Sequence, residues 1–167
     1  MIKIIDEFFD KPNFELVKDF ALHKAFYSPQ FFDNAVEKNQ DSHYGNRFFL
    51  KDEPKLLDLF KKQTELKFKI KIKELYLHSG IDQRTLSDFK PHTDNNSVLN
   101  VLIMISGPTA LSNGTVFYTD GDLDIHVGFR ENRAIFFPSN KWHSPHANKE
   151  FNITRYSATL FIKDYEE

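Results

Sequence analysis

Residues 133–143 read Arg133-Ala134-Ile135-Phe136-Phe137-Pro138-Ser139-Asn140-Lys141-Trp142-His143. An apolar run, a Pro-Ser-Asn turn and a returning segment make this two strands joined by a short connection, with His143 just inside the second. Twelve residues after His143 comes Arg155-Tyr156-Ser157-Ala158-Thr159-Leu160-Phe161. Alternation in that stretch places Arg155, Ser157 and Thr159 on one face and Tyr156, Ala158 and Leu160 on the other. A guanidinium and two hydroxyls on one strand face suit neither an apolar core nor an indifferent surface. They suit a carboxylate, which a guanidinium binds through two parallel hydrogen bonds. A structural Arg–Asp or Arg–Glu pair on an exposed sheet face is the plainer explanation of the same pattern.

Outward from this stretch, strand-like runs cover 98–106, 115–119, 124–129, 133–138, 142–147 and 153–163. Ser112-Asn113-Gly114, Asp120-Gly121-Asp122 and Glu131-Asn132 punctuate them as turns. Upstream, Leu66, Phe68, Ile70 and Ile72 alternate with lysines, which predicts a half-buried strand beginning at Leu66. The N-terminal third reads differently. Ile2 to Ile5 is a short strand, and Asp10 caps a helix with Pro12 in its first turn. That helix carries an apolar stripe of Phe14, Val17, Phe20 and Ala21. A second helix follows Pro54 with Leu56, Leu57 and Phe60, and 27–52 is looser. Helices followed by many short strands predict an α+β, mainly β protein with an antiparallel sandwich or barrel. One domain spans 1–167, with 1–65 as a helical support region and 66–167 as the β core.

The 167 residues suffice for one buried core and hold 18 phenylalanines to fill it. A net charge of −2 supplies no basic field for nucleic acid or a membrane surface. The lysine row Lys67, Lys69, Lys71 and Lys73 is read as a solvated outer face. Cysteine is absent, which removes disulfides, thiolate zinc sites and cysteine nucleophiles together. The opening MIKIIDEFFD has no apolar signal core, so a cytoplasmic location is expected. No His-Glu-x-x-His helix, phosphate-cradling Gly loop or Gly-x-Ser-x-Gly elbow is present.

His92-Thr93-Asp94 stands before the strongest strand. Residues two apart in extended backbone face the same way, so His92 and Asp94 converge on one ion. Two imidazoles and one carboxylate on one face are the donor set associated with iron(II) oxygenases. His143 is the preferred third donor. His146, three residues further on, has the opposite strand parity and is the alternative.

His92-Thr93-Asp94, then His143, then Arg155-Tyr156-Ser157-Ala158-Thr159 resembles the iron(II)/2-oxoglutarate-dependent dioxygenase superfamily, most closely its prolyl-hydroxylase-like branch. Phe137-Pro138-Ser139, Trp142-His143 and Asn113-Gly114-Thr115 extend the resemblance, which covers residues 75–162. It implies a double-stranded β-helix, or jelly roll, with His92, Asp94 and His143 as catalytic iron ligands. It also implies 2-oxoglutarate chelating Fe(II), its distal carboxylate held by Arg155 with Thr159 and Ser157. Dioxygen would be the oxidant, and the substrate a peptide, protein side chain or small amino-acid-like molecule to be hydroxylated. The polar segment 80–90 is expected to be a loop over the site, with Asp82, Arg84 and Asp88 as candidate substrate contacts, and 106–113 a second rim. A cupin-like metalloenzyme without 2-oxoglutarate, or a non-catalytic β-barrel binding domain, would share the barrel but leave Arg155 without a cosubstrate.

Overall fold

A computed structural model of the chain describes residues 1–31, 43–85, 91–110, 113–147 and 154–167. In chain order its elements are β1 (Lys3–Ile5), α1 (Lys11–Asp19) continued by a π turn (Phe20–Lys24), β2 (Ser28–Phe31) and β3 (His43–Phe49). A 3-10 turn (Leu50–Asp52), α2 (Pro54–Phe68), β4 (Lys71–Leu75) and β5 (Gly80–Thr85) follow. The rest is β6 (Leu99–Ser106), β7 (Asn113–Thr119), β8 (Asp122–Gly128), β9 (Ala134–Pro138), β10 (His143–Ala147) and β11 (Thr154–Glu166).

Helix α1 starts where its capping chemistry requires: the Asp10 carboxylate accepts the Asn13 N–H at 2.9 Å, and Pro12 lies in the first turn. Phe14, Val17 and Ala21 are buried. Helix α2 buries Leu56, Phe60, Thr64 and Phe68, a stripe of strict four-residue spacing. This corrects the expected strand start at Leu66. The stripe carries the helix through Phe68, whose ring stacks on Phe136 at 4.6 Å. Leu66 is left on the exposed helix face. The helix stops only at Lys69, in the left-handed region at φ 57°, and β4 begins two residues later.

Two antiparallel sheets face each other. The larger runs β1-β9-β6-β11-β5-β3-β2 and the smaller β10-β7-β8. The long β11 organises the larger sheet. One edge pairs with β6, while the other pairs first with β5 and then with β4. The N-terminal region is thus more than helical support, since β1, β2 and β3 all join this sheet. Two stretches expected to be irregular are strands instead: β2 and β3 within 27–52, and β5 within 80–90. Their cavity-facing residues Arg47, Asp82 and Arg84 are charged, so no hydrophobic alternation marks them. Asp88 lies outside the described residues.

Alternation along the central strands splits the core. Val101, Ile103, Ala134, Phe136, Ala158, Leu160 and Ile162 pack toward the helices with Phe8, Phe9, Phe60 and Phe68. Met104, Ile135 and Phe137 turn the other way and meet Phe117 and Val127 of the smaller sheet. Many of the phenylalanines do the work their abundance suggests; Phe8–Phe9 and Phe9–Phe60 meet edge to face at 4.8 and 5.3 Å. The result is a jelly roll with helices on the outer face of its larger sheet. Among the described residues no helix is long and apolar enough to cross a membrane.

Candidate metal centre

His92 and Asp94 are placed by backbone pairing against the 133–143 stretch. His92 and His143 exchange N–H···O=C bonds of 2.9 Å in both directions, and the Asp94 N–H donates to the Ser139 carbonyl at 2.9 Å. The Pro-Ser-Asn turn therefore does more than reverse the chain, because Ser139 also donates its hydroxyl to the Ser97 carbonyl and pins the other end of the same segment. Three side chains converge as a result. His92 Nε2 lies 3.9 Å from Asp94 Oδ1, and His143 Nε2 lies 3.4 Å from Asp94 Oδ2. One donor atom from each of the three falls within 4.8 Å of the others.

The orientation of these donors is built in. His143 Nδ1 is 2.9 Å from the Lys141 carbonyl, which makes Nδ1 the protonated nitrogen and leaves the Nε2 lone pair aimed at the cluster. Phe137 stands edge-on to the His143 ring at 4.8 Å. Burial, followed by the neighbouring His92, pushes the His143 imidazole down to about 4, so it is neutral at neutral pH, as a ligand must be. Asp94 receives a 2.6 Å hydrogen bond from Asn100 Nδ2, and Asn100 is itself held by the Ser97 hydroxyl at 2.8 Å. Sequence reading missed Asn100. Its signal was a lone amide in the apolar run 98–105, fully buried in the structure. His146 is on the exposed side of β10, its ring 5.2 Å from His126.

Arg155, Ser157 and Thr159 are buried and line the same cavity of about 400 Å³ as the His92, Asp94 and His143 cluster. Arg155 Nη1 donates to Asn113 Oδ1 at 2.9 Å, to the Gly114 carbonyl at 2.8 Å and to the His146 carbonyl at 3.4 Å. Its Nε and Nη2 make no hydrogen bond among the described residues. Asn113 and Gly114, at the start of β7 rather than in the turn expected there, thus fix one edge of the guanidinium and leave the other toward the cavity. Burial, helped by Arg84, lowers the Arg155 guanidinium to about 9.

A third wall, from β3 and β5, was not foreseen as a unit. Arg47 grips Asp82 with Nε–Oδ1 at 2.8 Å and Nη2–Oδ2 at 3.1 Å. Arg84 Nη2 approaches the same Oδ2 at 3.4 Å. Burial alone would raise the Asp82 carboxyl, but the charges of Arg47 and Arg84 and the Arg47 hydrogen bonds hold it below the usual carboxylate range. His78 lines the cavity too, stacked near Tyr76 at 4.8 Å.

No protein-family model matches the sequence, and no curated protein does. Solved structures do, and they define the class of fold: it is the jelly roll of the iron(II)/2-oxoglutarate oxygenases. Among them is a prolyl hydroxylase from Trichoplax adhaerens, solved with a hypoxia inducible factor oxygen degradation domain peptide. It is 16% identical over 98% of this chain and 83% of its own, with a TM-score of 0.62. The epimerase SnoN, in complex with Fe3+, alpha ketoglutarate and nogalamycin RO, is 10% identical over 99% and 78% at 0.63. The carbocyclase SnoK of nogalamycin biosynthesis is 11% identical over 97% and 79% at 0.67.

Proposed function

We propose that the chain is a single-domain iron(II)- and 2-oxoglutarate-dependent oxygenase, with His92, Asp94 and His143 as metal ligands. Arg155, Ser157 and Thr159 would receive the distal carboxylate of 2-oxoglutarate. The observation that carries the reading is a juxtaposition. A two-histidine, one-carboxylate cluster shares a cavity with a buried arginine that keeps one guanidinium edge unbonded among the described residues. The donor set suits iron(II) in its hardness and in leaving coordination positions open. When bound, the metal supplies dioxygen activation coupled to decarboxylation of 2-oxoglutarate to succinate.

The chain's own groups bind and orient. Lys141 fixes the His143 tautomer, and Asn100 holds the Asp94 carboxylate in place. Arg155 offers two N–H groups to a carboxylate from a buried position, where such bonds are strongest. Phe137 and Leu102 line the cavity as apolar walls and limit water beside the metal. Hydroxylation of a peptide, protein side chain or amino-acid-like substrate is the outcome we favour. The same fold in SnoN and SnoK serves an epimerase and a carbocyclase, so the outcome depends on how a substrate is held. A cupin-like enzyme without 2-oxoglutarate would have no use for the half-bonded Arg155. The experiment that separates the two is a screen for succinate formed with oxygen uptake across peptides and amino acids. Substrate oxidation without succinate would favour the cupin-like reading.

A further inference from the structure

Two histidines that the cavity cluster leaves out meet on the far side of the smaller sheet. His126 on β8 and His146 on β10 flank the central strand β7, where His146 pairs with Gly114 and His126 with Val116. Both are exposed. Alternation points them away from the core that Phe117 and Ile125 enter and from the cavity that His143 and Pro145 line. The pair is therefore separate from the cluster of His92, Asp94 and His143.

With a strand between them, the backbones of β8 and β10 stand about 10 Å apart, and most side chains so placed do not touch. These two touch because residue 114 is glycine. A Cβ there would come within 2.8 Å of His126 Nε2, so the imidazole lies over the bare backbone of β7, beside His146. The ring centroids are 5.2 Å apart, with the planes at 75°. Among the described residues, no side chain or carbonyl hydrogen-bonds either ring, so their nitrogens are open to a ligand. Partial burial, followed by the neighbouring His146, lowers the His126 imidazole and favours the neutral form that a metal needs.

The spacing fits a shared ion. An imidazole bound to a divalent metal puts its centroid about 3.2 Å from the ion, so two rings at a tetrahedral angle stand about 5 Å apart. Two imidazoles without a carboxylate or thiolate suit Zn(II), Cu(II) or Ni(II) and hold Fe(II) more weakly. We propose that His126 and His146 form a second metal site, a two-imidazole chelate for a late first-row divalent ion such as Zn(II), with water completing its coordination. The site backs directly onto the arginine of the cavity, since the Gly114 and His146 carbonyls accept from Arg155 Nη1 at 2.8 and 3.4 Å.

The test follows the imidazole nitrogens of the full chain by nuclear magnetic resonance as Zn(II) is added. His23, an exposed imidazole on the π turn, is the internal control. The His126 and His146 signals are expected to shift together within the first two equivalents, one of which the cavity cluster takes on the function proposed above, while His23 stays in place. No shift of the pair overturns the proposal. So does a shift of His23 in step with the pair, which would make the binding an adventitious property of exposed histidines. Calorimetry adds a second readout. His126→Ala and His146→Ala should each weaken the outer binding step by about tenfold or more, because a single imidazole loses the gain from two donors on one scaffold. An outer step unchanged in either variant also overturns the proposal.

Discussion

Asn100 donates a 2.6 Å hydrogen bond to Asp94 Oδ2 from a fully buried position on β6, inside the larger sheet. The carboxylate of the cluster is thereby anchored to the core rather than to its own exposed segment. Outer partners of this kind orient the ligand and raise metal affinity. Asn100→Ala is expected to weaken iron(II) binding by about 10- to 100-fold while the protein stays folded. Metal titration followed by circular dichroism checks this. Unchanged affinity would reduce Asn100 to a packing residue.

Arg155 is held along one edge by Asn113 and Gly114. Arg155→Gln is expected to raise the 2-oxoglutarate concentration needed for half-saturation by about tenfold or more, from the loss of a charge-assisted bidentate pair. Iron binding without cosubstrate should change little. Arg155→Lys should not restore it, because an ammonium cannot replace the planar fork. Equilibrium titration of the iron-loaded protein separates the two effects.

The Arg47–Asp82 pair is buried on both sides, at 7% and 3% side-chain exposure. Asp82→Asn should destabilise the fold by about 3–5 kcal/mol, because the buried Arg47 loses the carboxylate that its Nε and Nη2 grip. Joint replacement by Arg47→Met and Asp82→Leu should recover much of that loss. Urea unfolding of the three variants measures it.

The same pair sets a pH dependence. Asp82 is held below its unfolded value, so its contribution is complete above about pH 4. It is lost as the pH falls further, through the folded value, when the carboxylate takes up its proton. Asp82→Asn should flatten this acid limb in thermal melts, and an unaltered limb would place the titration elsewhere.

Gly80 gives Arg47 its room: an added Cβ would meet the Phe48 carbonyl oxygen at 2.6 Å and Arg47 Cγ at 2.8 Å. Gly80→Ala should cost about 1–3 kcal/mol from overpacking. At Gly128 a Cβ would meet nothing within 4 Å, so Gly128→Ala is the control expected to be neutral or slightly stabilising.

What the sequence disclosed follows from where its chemistry was written. Arg155, Ser157 and Thr159 alternate against Tyr156, Ala158 and Leu160, so one strand showed both its faces. His92, Asp94 and His143 stand at spacings that pairing could bring together, and backbone bonds to His143 and Ser139 do so. The β3–β5 wall was hidden, because Arg47 and Asp82 lie 35 residues apart and compensate each other across two strands. Charged inward faces defeat a reading based on apolar alternation. Leu66 to Phe68 failed for the opposite reason. A local alternation was overridden by the longer four-residue stripe running from Leu56 to Phe68.

The central claim is that His92, Asp94 and His143 hold iron(II) beside 2-oxoglutarate. Anaerobic addition of both to the purified protein, followed by visible absorption, tests it most directly. A weak metal-to-ligand charge-transfer band is expected, and it should vanish in His92→Ala, Asp94→Ala and His143→Ala but persist in His146→Ala. No band in the unaltered protein, or a band intact in His92→Ala and Asp94→Ala, would contradict the assignment.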